Sequence, residues 1–251
     1  MTDTSRALSF DAAADRYAAH RPSYPPALFD AVEELSGLSL AGASVADVGA
    51  GTGIATALLH ERGAEVVAVE PGAGMAARCR AALPHVPLVR GNGNALPLAA
   101  GSRDLLTYAQ SWHWTRPESA VPEARRVLRP GGALALWWNT SALDVPWIAA
   151  QAERVAQHTG TEPPSARPDE VEASRLAGLQ GLPVSRRQVR WSRTVSLDAH
   201  VGNLLTHSAF LVRGEDSSQR FAEAERVRLR RELRDEQVVE TYVTDLLVVA
   251  C

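Results

Sequence analysis

The chain of 251 residues has the length of one large α/β domain or of two small ones. Its net charge of −3 provides no basic excess for nucleic acid, and no apolar run approaches the length of a membrane-spanning helix. All 26 basic residues are arginines, which excludes a lysine Schiff base, lysine-anchored pyridoxal phosphate and a phosphate-loop lysine. The opening residues lack the apolar core of a secretory signal, so we expect a cytoplasmic protein.

The first 40 residues are predicted to form a collar or lid. Residues 21–26 are rich in proline, which favours an extended turn, and a helix is predicted to follow over Ala27–Leu38. Residues 1–40 therefore stand apart from the alternating pattern that comes next.

Residues 41–139 alternate short apolar, β-branched runs with helical stretches, a pattern typical of a parallel sheet built from strand-helix-strand units. Helices are predicted at Ala55–Arg62 and Ser119–Leu128. The predicted strands are Ser44–Asp47, Glu65–Glu70, Pro87–Arg90, Asp104–Ala109 and Ala133–Trp138.

The remainder of the chain is predicted to complete a single domain over 1–251. A helix at Pro146–Gln157 and a proline-rich link indicate a small helical cap over 140–183. Two strands, Val184–Val195 and Gln237–Val249, fall within 184–251. Residues 217–235 between them have the pattern of a solvated amphipathic helix whose acidic and basic charges balance.

The strongest chemical signal is the stretch VADVGAGTGIAT, residues 45–56, in which an apolar strand runs into a glycine-rich loop before a helix. Glycine permits positive φ and a close approach of the backbone to a ligand, and the helix N-terminus beyond it offers N–H groups. The loop is therefore predicted to bind a small polar molecule.

Two residues of this loop argue against a dinucleotide. The third glycine of a dinucleotide fingerprint would fall at Ile54, whereas this chain has Gly53. Asp47 would repel a pyrophosphate but would suit a cationic ammonium group. Glu70, roughly 20 residues beyond the loop, stands where an acid accepts hydrogen bonds from ribose hydroxyls, a feature that both kinds of cofactor share. A nicotinamide-dependent oxidoreductase and a non-catalytic cofactor-binding protein remain the alternatives.

The motifs in combination resemble the class I S-adenosylmethionine-dependent methyltransferases that act on small molecules. The matching stretches are YAAHRPSYP, VADVGAGTG, VVAVEP, GNGNALPL, AQSWHW and EARRVLRPGG. The resemblance as a whole spans nearly the whole chain. The resemblance implies a Rossmann-like, seven-stranded, mostly parallel sheet with helices on both faces, a small helical cap and an antiparallel final strand.

The resemblance also implies which residues bind S-adenosyl-L-methionine. Gly49, Ala50, Gly51 and Gly53 would hold the methionine part, with Asp47 near its ammonium group. Glu70 would bind the ribose. The adenine would be surrounded by Pro71, Met75, Asn92, Gly93 and Asn94. Ala109 and Gln110 would lie beside the sulfonium, and Tyr17 and Arg21 would close over the cofactor. Asn92 stands where the family usually has aspartate, and its side-chain carbonyl can still accept a hydrogen bond.

The acceptor is expected to be a small, apolar or aromatic molecule, because tryptophans gather near the predicted ends of the fourth and fifth strands. The residues predicted to contact it are Trp112, Trp114, Asn139 and His207. His113 is the candidate general base, with packing beside the tryptophans as the alternative. No metal site is predicted, since His200 and His207 have no third ligand at metal spacing and the two cysteines lie far apart in sequence.

Overall fold

The computed structural model describes residues 18–162, 175–176, 178–211, 214–232 and 237–250, so Tyr17 and Cys251 lie outside the described residues. The helices are α1 (Pro26–Ser36), α2 (Ile54–Glu61), α3 (Ala73–Ala82), α4 (Pro117–Val127), α5 (Pro146–Thr159), α6 (Leu197–Leu204), α7 (Ser208–Leu211) and α8 (Glu215–Glu232). The strands are β1 (Ser44–Val48), β2 (Glu65–Val69), β3 (Leu88–Val89), β4 (Arg103–Ala109), β5 (Leu128–Ser141), β6 (Val184–Ser196) and β7 (Gln237–Ala250). A short 3-10 turn spans Trp112–Trp114.

The strands form one seven-stranded sheet in the order β3-β2-β1-β4-β5-β7-β6. The first five strands pair in parallel. Between β5 and β7, Asn139 contacts Thr244 and Ala142 contacts Thr241, so residue numbers rise on one strand as they fall on the other. This opposing order is that of antiparallel strands, and the mixed, Rossmann-like sheet predicted from the sequence is confirmed.

The sheet is buried on both faces because successive side chains of its central strands alternate between two apolar cores. Leu105 of β4 packs with Phe29 and Trp137 on one face. Its neighbour Leu106 packs with Trp138 and other apolar residues on the opposite face. The near-continuous apolar sequence of these strands is what a parallel sheet covered by helices on both faces requires.

The strand order reverses beside β1. The chain runs outward from β1 to β2 and β3 on one side, then returns to β4 and β5 on the other. In open α/β sheets, ligands bind outside the carboxyl ends of the strands at such a switch point. The loops that follow Val48, Val69 and Ala109 all lie at this edge.

The chain clusters into two compact units. The first comprises Met1–Pro22, Thr140–Glu172 and Arg190–Val243, and the second comprises Ser23–Asn139, Ala173–Val189 and Thr244–Cys251. The first unit has its own apolar core around Val201, Phe210 and Ala222. Division of one domain into a collar, core, cap and C-terminal part at residues 40, 139 and 183 stays a prediction.

Candidate functional site

The loop after β1 is shaped by three glycines. Gly49, Gly51 and Gly53 have φ values of +71°, +59° and +91°, in the left-handed region that favours glycine. The N–H groups of Gly49 and Ala50 both donate to the carbonyl of Val69, over 2.8 and 3.1 Å. The loop therefore turns sharply at the end of β1 and delivers the chain to the N-terminus of α2.

The surroundings of these glycines show which side of the loop is open. A Cβ atom on Gly49 would lie 2.5 Å from the Cβ of Ser111, and one on Gly53 would lie 2.9 Å from the Sγ of Cys79. At Gly51, by contrast, a Cβ would meet nothing within 4 Å. A ligand can thus approach the backbone at Gly51, whereas the other two positions are packed against the protein.

Glu70 joins the loops that follow β1 and β2. Its Oε2 accepts a hydrogen bond from the N–H of Gly51 over 2.8 Å, and its Oε1 accepts one from the N–H of Gly72 over 2.7 Å. The residue is only 7% exposed. Each carboxylate oxygen has two lone pairs, so each can accept a further bond from a ligand hydroxyl.

Asp47 is completely buried beneath the loop. Its Oδ2 accepts from the hydroxyl of Thr56 over 2.6 Å, and its Oδ1 accepts from the hydroxyl of Thr107 over 2.9 Å. Burial raises the pKa of Asp47, and these hydrogen bonds oppose the increase. Since neither oxygen reaches the surface, direct contact with an ammonium group would require Asp47 to leave its hydroxyl partners.

The loop after β3 uses its polar side chains to hold its own shape. Oδ1 of Asn92 accepts from the N–H of Asn94 over 2.9 Å, and Oδ1 of Asn94 accepts from the N–H of Arg116 over 2.7 Å. Gly93 is buried, and a Cβ there would lie 2.8 Å from the ring of Tyr108. The carbonyl of Asn92 that was predicted to face adenine therefore already accepts a hydrogen bond within its loop.

The other predicted cofactor residues of the second unit lie on the loops after β2 and β4 or next to them. Pro71 is half-buried, and Met75 of α3 is buried. Ala109 is half-buried at the end of β4. The next residue, Gln110, has a φ of +58° and donates its N–H to the carbonyl of Trp137 over 2.9 Å.

The 3-10 turn after β4 presents its three aromatic side chains differently. Trp112 is 1% exposed and packs edge-on against Tyr108 at 5.0 Å, as a core residue does. His113 is exposed and Trp114 is half-buried, with their ring centres 4.6 Å apart. Trp138 donates from Nε1 to Nδ1 of His113 over 3.4 Å, so a neutral His113 carries its proton on Nε2.

Asn139 links two segments of the second unit. Its Nδ2 donates to the carbonyl of Ser23 over 3.1 Å, and its Oδ1 accepts from the hydroxyl of Thr244 over 2.5 Å. Both ends of the amide thus have protein partners. Its contact with the acceptor stays a prediction.

Arg21 and His207 both belong to the first unit. His207 as a residue is half-buried. Enclosure of its imidazole, together with the nearby charge of Arg21, lowers the pKa of His207 to about 3. This side chain is therefore neutral at physiological pH. Cofactor contact by Arg21 and acceptor contact by His207 stay predictions.

A buried polar network around Glu240 was not predicted from the sequence. Glu240 accepts from Nε of Arg193 over 2.6 Å and from the hydroxyl of Tyr242 over 2.8 Å, and lies 2.7 Å from Nδ1 of His200. Nε2 of His200 lies 3.0 Å from the amide nitrogen of Gln151. Burial favours a higher pKa for Glu240, but the His200 hydrogen bond and the charge of Arg193 hold this pKa below its usual range.

Two hydroxyl residues at the glycine loop were also missed. Thr52 is 7% exposed, and its Oγ1 has no hydrogen-bond partner among the described residues. Ser111 is buried and donates to the carbonyl of Val48 over 2.5 Å. The position of Thr52 between two glycines was a signal that could have identified it, whereas the Ser111 contact depends on the pairing of β1 with β4.

The described residues contain neither a cluster of metal ligands nor a helix that could span a membrane. No group of three or more histidine, cysteine, aspartate or glutamate side chains stands close enough to hold a metal ion. No helix there combines the length and the apolar character needed to cross a membrane.

Comparison with known proteins identifies the family. A methyltransferase-domain family model matches residues 46–136, which include the end of β1, the glycine loop and Glu70. An uncharacterized methyltransferase of Mycobacterium tuberculosis is 43% identical over 201 residues, covering 80% of this chain and 77% of that protein. An uncharacterized methyltransferase-like protein of Schizosaccharomyces pombe is 36% identical over 136 residues, covering 53% and 52%.

Solved structures share the fold. A structure from Anaeromyxobacter dehalogenans, described as a type II methyltransferase, has a TM-score of 0.63 and 23% identity, covering 92% of this chain and 97% of that one. An Anabaena variabilis structure, described as a methyltransferase from an antibiotic biosynthesis pathway, has a TM-score of 0.55 and 18% identity, covering 90% and 98%. The sequence matches favour a methyltransferase over a nicotinamide-dependent oxidoreductase. The chain therefore belongs to the class I S-adenosylmethionine-dependent methyltransferases.

Proposed function

We propose that this enzyme methylates a small-molecule acceptor and that S-adenosylmethionine binds at the carboxyl ends of β1, β2 and β4. The observation that carries the cofactor site is the carboxylate of Glu70, which bonds the N–H groups of Gly51 and Gly72 at once. This arrangement fixes the two loops at the switch point of the sheet, where an acid after the second strand can accept hydrogen bonds from ribose hydroxyls.

The residues around Glu70 fit the remaining parts of the cofactor. The open side of Gly51 leaves room for the methionine part against the backbone, and next to it lies the buried hydroxyl of Thr52, which has no partner among the described residues. Pro71 and Met75 offer apolar surface for the adenine. Asp47 acts on the cofactor through the loop and α2, because its oxygens already bond Thr56 and Thr107.

When bound, S-adenosylmethionine supplies a methyl group that is already activated for in-line displacement. The enzyme's residues then have to align the acceptor with that methyl group and exclude water. A general base is needed only where the acceptor does not lose its proton readily. We assign that role to His113, which is exposed and would have to release the Trp138 indole before Nδ1 could take a proton.

The acceptor is proposed to be apolar or aromatic. Trp114 and His113 form a half-open aromatic surface immediately after β4, next to the proposed cofactor site. Trp138 is 6% exposed and donates to His113, so it supports this surface from within the core, where Trp112 is also buried. Asn139 and His207 are proposed as polar contacts for the acceptor.

The test is to follow a tritiated methyl group from S-adenosylmethionine into separated fractions of a cell extract incubated with the full chain. We expect label in the small-molecule fraction, and S-adenosylhomocysteine should suppress its appearance. Label confined to protein or nucleic acid would overturn the acceptor class. Calorimetry in which NADH binds and S-adenosylhomocysteine does not would overturn the cofactor site.

A further inference from the structure

Gln110 holds a backbone conformation that is costly for its residue type. Among the residues that the structure describes, it is the only non-glycine residue with a positive φ, at +58°. Non-glycine residues in this region persist where surrounding contacts enforce them, and such residues concentrate at functional sites. The N–H of Gln110 still donates to the carbonyl of Trp137 over 2.9 Å, so the chain remains hydrogen-bonded to β5 as far as Gln110 itself.

The strained turn directs the next residue, Ser111, across the end of β1. Its hydroxyl donates to the carbonyl of Val48 over 2.5 Å, and Val48 is the last residue of β1. The side chain of Ser111 also packs closely against Gly49. A Cβ atom added to Gly49 would lie 2.5 Å from the Cβ of Ser111 and 2.9 Å from its Oγ. Ser111 thus bonds the residue before the glycine loop and packs against the first residue of that loop.

The loop is therefore fixed at two points. The contacts of Ser111 hold its start at Val48 and Gly49, and the carboxylate of Glu70 holds its middle at Gly51. Between these points lies the backbone segment with the open side that fits a ligand.

We propose that Ser111 is a positioning residue for cofactor binding and that the positive φ of Gln110 is the strain that places it. This inference rests on the proposed cofactor site. Ser111 touches no reacting atom in this scheme. It sets the affinity for S-adenosylmethionine by holding the glycine loop in its binding conformation before the cofactor arrives.

The first experiment compares Ser111→Ala with Ser102→Ala in the full chain. Ser102, just before β4, also donates from its hydroxyl to a backbone carbonyl, that of Ala99 over 2.7 Å, but at the opposite end of the strand. We expect Ser111→Ala to weaken S-adenosylhomocysteine binding in calorimetry about tenfold, as loss of one pre-organising hydrogen bond implies. Ser102→Ala should bind it as the wild type does.

The second experiment separates positioning from a purely structural role. With S-adenosylmethionine varied, Ser111→Ala should raise its KM about as much as it raises the dissociation constant, while kcat changes less than about twofold. Gln110→Gly should raise the Tm of the ligand-free protein, because glycine accepts this φ without strain.

Two results would overturn the inference. One is a Ser111→Ala variant that binds S-adenosylhomocysteine normally, whatever its Tm. The other is a lowered kcat with an unchanged KM, which would place Ser111 in the chemical step. Failure of the wild-type protein itself to bind the ligand would instead remove the proposed cofactor site, so the two failures are distinguishable.

Discussion

The hydroxyl of Thr56 donates to Oδ2 of Asp47 over 2.6 Å and thereby ties the first turns of α2 to the end of β1. Replacing Asp47 with alanine leaves this hydroxyl and that of Thr107 buried without an acceptor. We expect Asp47→Ala to lower the free energy of unfolding by about 1–3 kcal/mol for each hydroxyl left without an acceptor, as measured by urea titration. Asp30→Ala removes an exposed aspartate that pairs with Arg62 and should cost under about 1 kcal/mol. An equal decrease in the free energy of unfolding in Asp47→Ala and Asp30→Ala would contradict the prediction.

Asp47→Asn probes the charge separately. The amide retains one acceptor oxygen, and a hydroxyl can rotate to accept from its nitrogen. Because folding raises the pKa of Asp47, its ionised form at neutral pH costs stability that protonation removes. The wild type should therefore gain stability relative to Asp47→Asn as the pH falls through the raised pKa. A stability difference that does not change with pH would exclude this effect.

Glu70→Gln should weaken cofactor binding and also lower the free energy of unfolding, because a buried bond that holds the loop is lost. Glutamine has one acceptor oxygen, so its NH2 group must face one of the two N–H donors, Gly51 or Gly72. A lost charge-assisted bond of about 1.5–3 kcal/mol corresponds to a dissociation constant for S-adenosylhomocysteine raised roughly 10- to 100-fold. Glu65→Gln, at the exposed start of the same strand, is the matched control for calorimetry. Unchanged affinity in Glu70→Gln would remove the proposed ribose contact.

The Glu240 network should weaken in acid. The pKa of Glu240 is lowered in the folded protein, so its contribution is present above the pKa of an unfolded glutamate and is lost as the pH falls through the folded value. In denaturant titrations at a series of pH values, the wild type should exceed Glu240→Gln in stability near neutral pH. That difference should shrink as the pH drops below about 4.5. A difference that grows in acid would reverse the assigned direction.

His207 makes an acid-labile contribution of its own. Its pKa of about 3 lies below that of an unfolded histidine, so between about pH 6.5 and 3 only the unfolded chain takes up the proton. Wild-type stability should therefore fall over this range by more than that of His207→Gln. In NMR, the His207 ring signals should not titrate near pH 6.5. Titration of His207 near pH 6.5 would show that its ring is not enclosed.

His113 can be tested as a base once an acceptor is known. His113→Ala should lower kcat about 100-fold or more and remove the acidic limb of its pH profile if the residue takes a proton in the transition state. His113→Asn keeps an acceptor for the Trp138 indole, which separates loss of packing from loss of the base. Turnover that matches the wild type at every pH would leave His113 with a packing role only.

The sheet and the cofactor loop could be predicted because their signals are local. Apolar β-branched runs mark β1 and β2, and glycines mark the turn at Gly49–Gly53. The position of Glu70 follows from β2, because Glu70 is the first residue after that strand. All seven strands were predicted, although β5 is longer than expected and begins at Leu128, where the helix predicted over Ser119–Leu128 was expected to end.

Contacts between distant segments were not accessible from the sequence. Asp47 was predicted to face an ammonium group, but its environment depends on Thr107, which lies on a neighbouring strand 60 positions away in sequence. The same holds for Glu240 and His200, which meet only after β7 and α6 pack together. Helix α3 was not assigned bounds, because its arginines and alanines form no clear apolar stripe.

The thiol of Cys79 lies directly under the glycine loop, since a Cβ on Gly53 would come within 2.9 Å of its sulfur. Burial and the carboxylates of Asp47 and Glu70 raise the pKa of Cys79 to about 11, so the reactive thiolate is scarce at neutral pH. An alkylating reagent can reach this sulfur only when the loop lifts away from α3. The rate at which Cys79 is alkylated therefore reports how often the loop opens, and a bound cofactor should slow this alkylation.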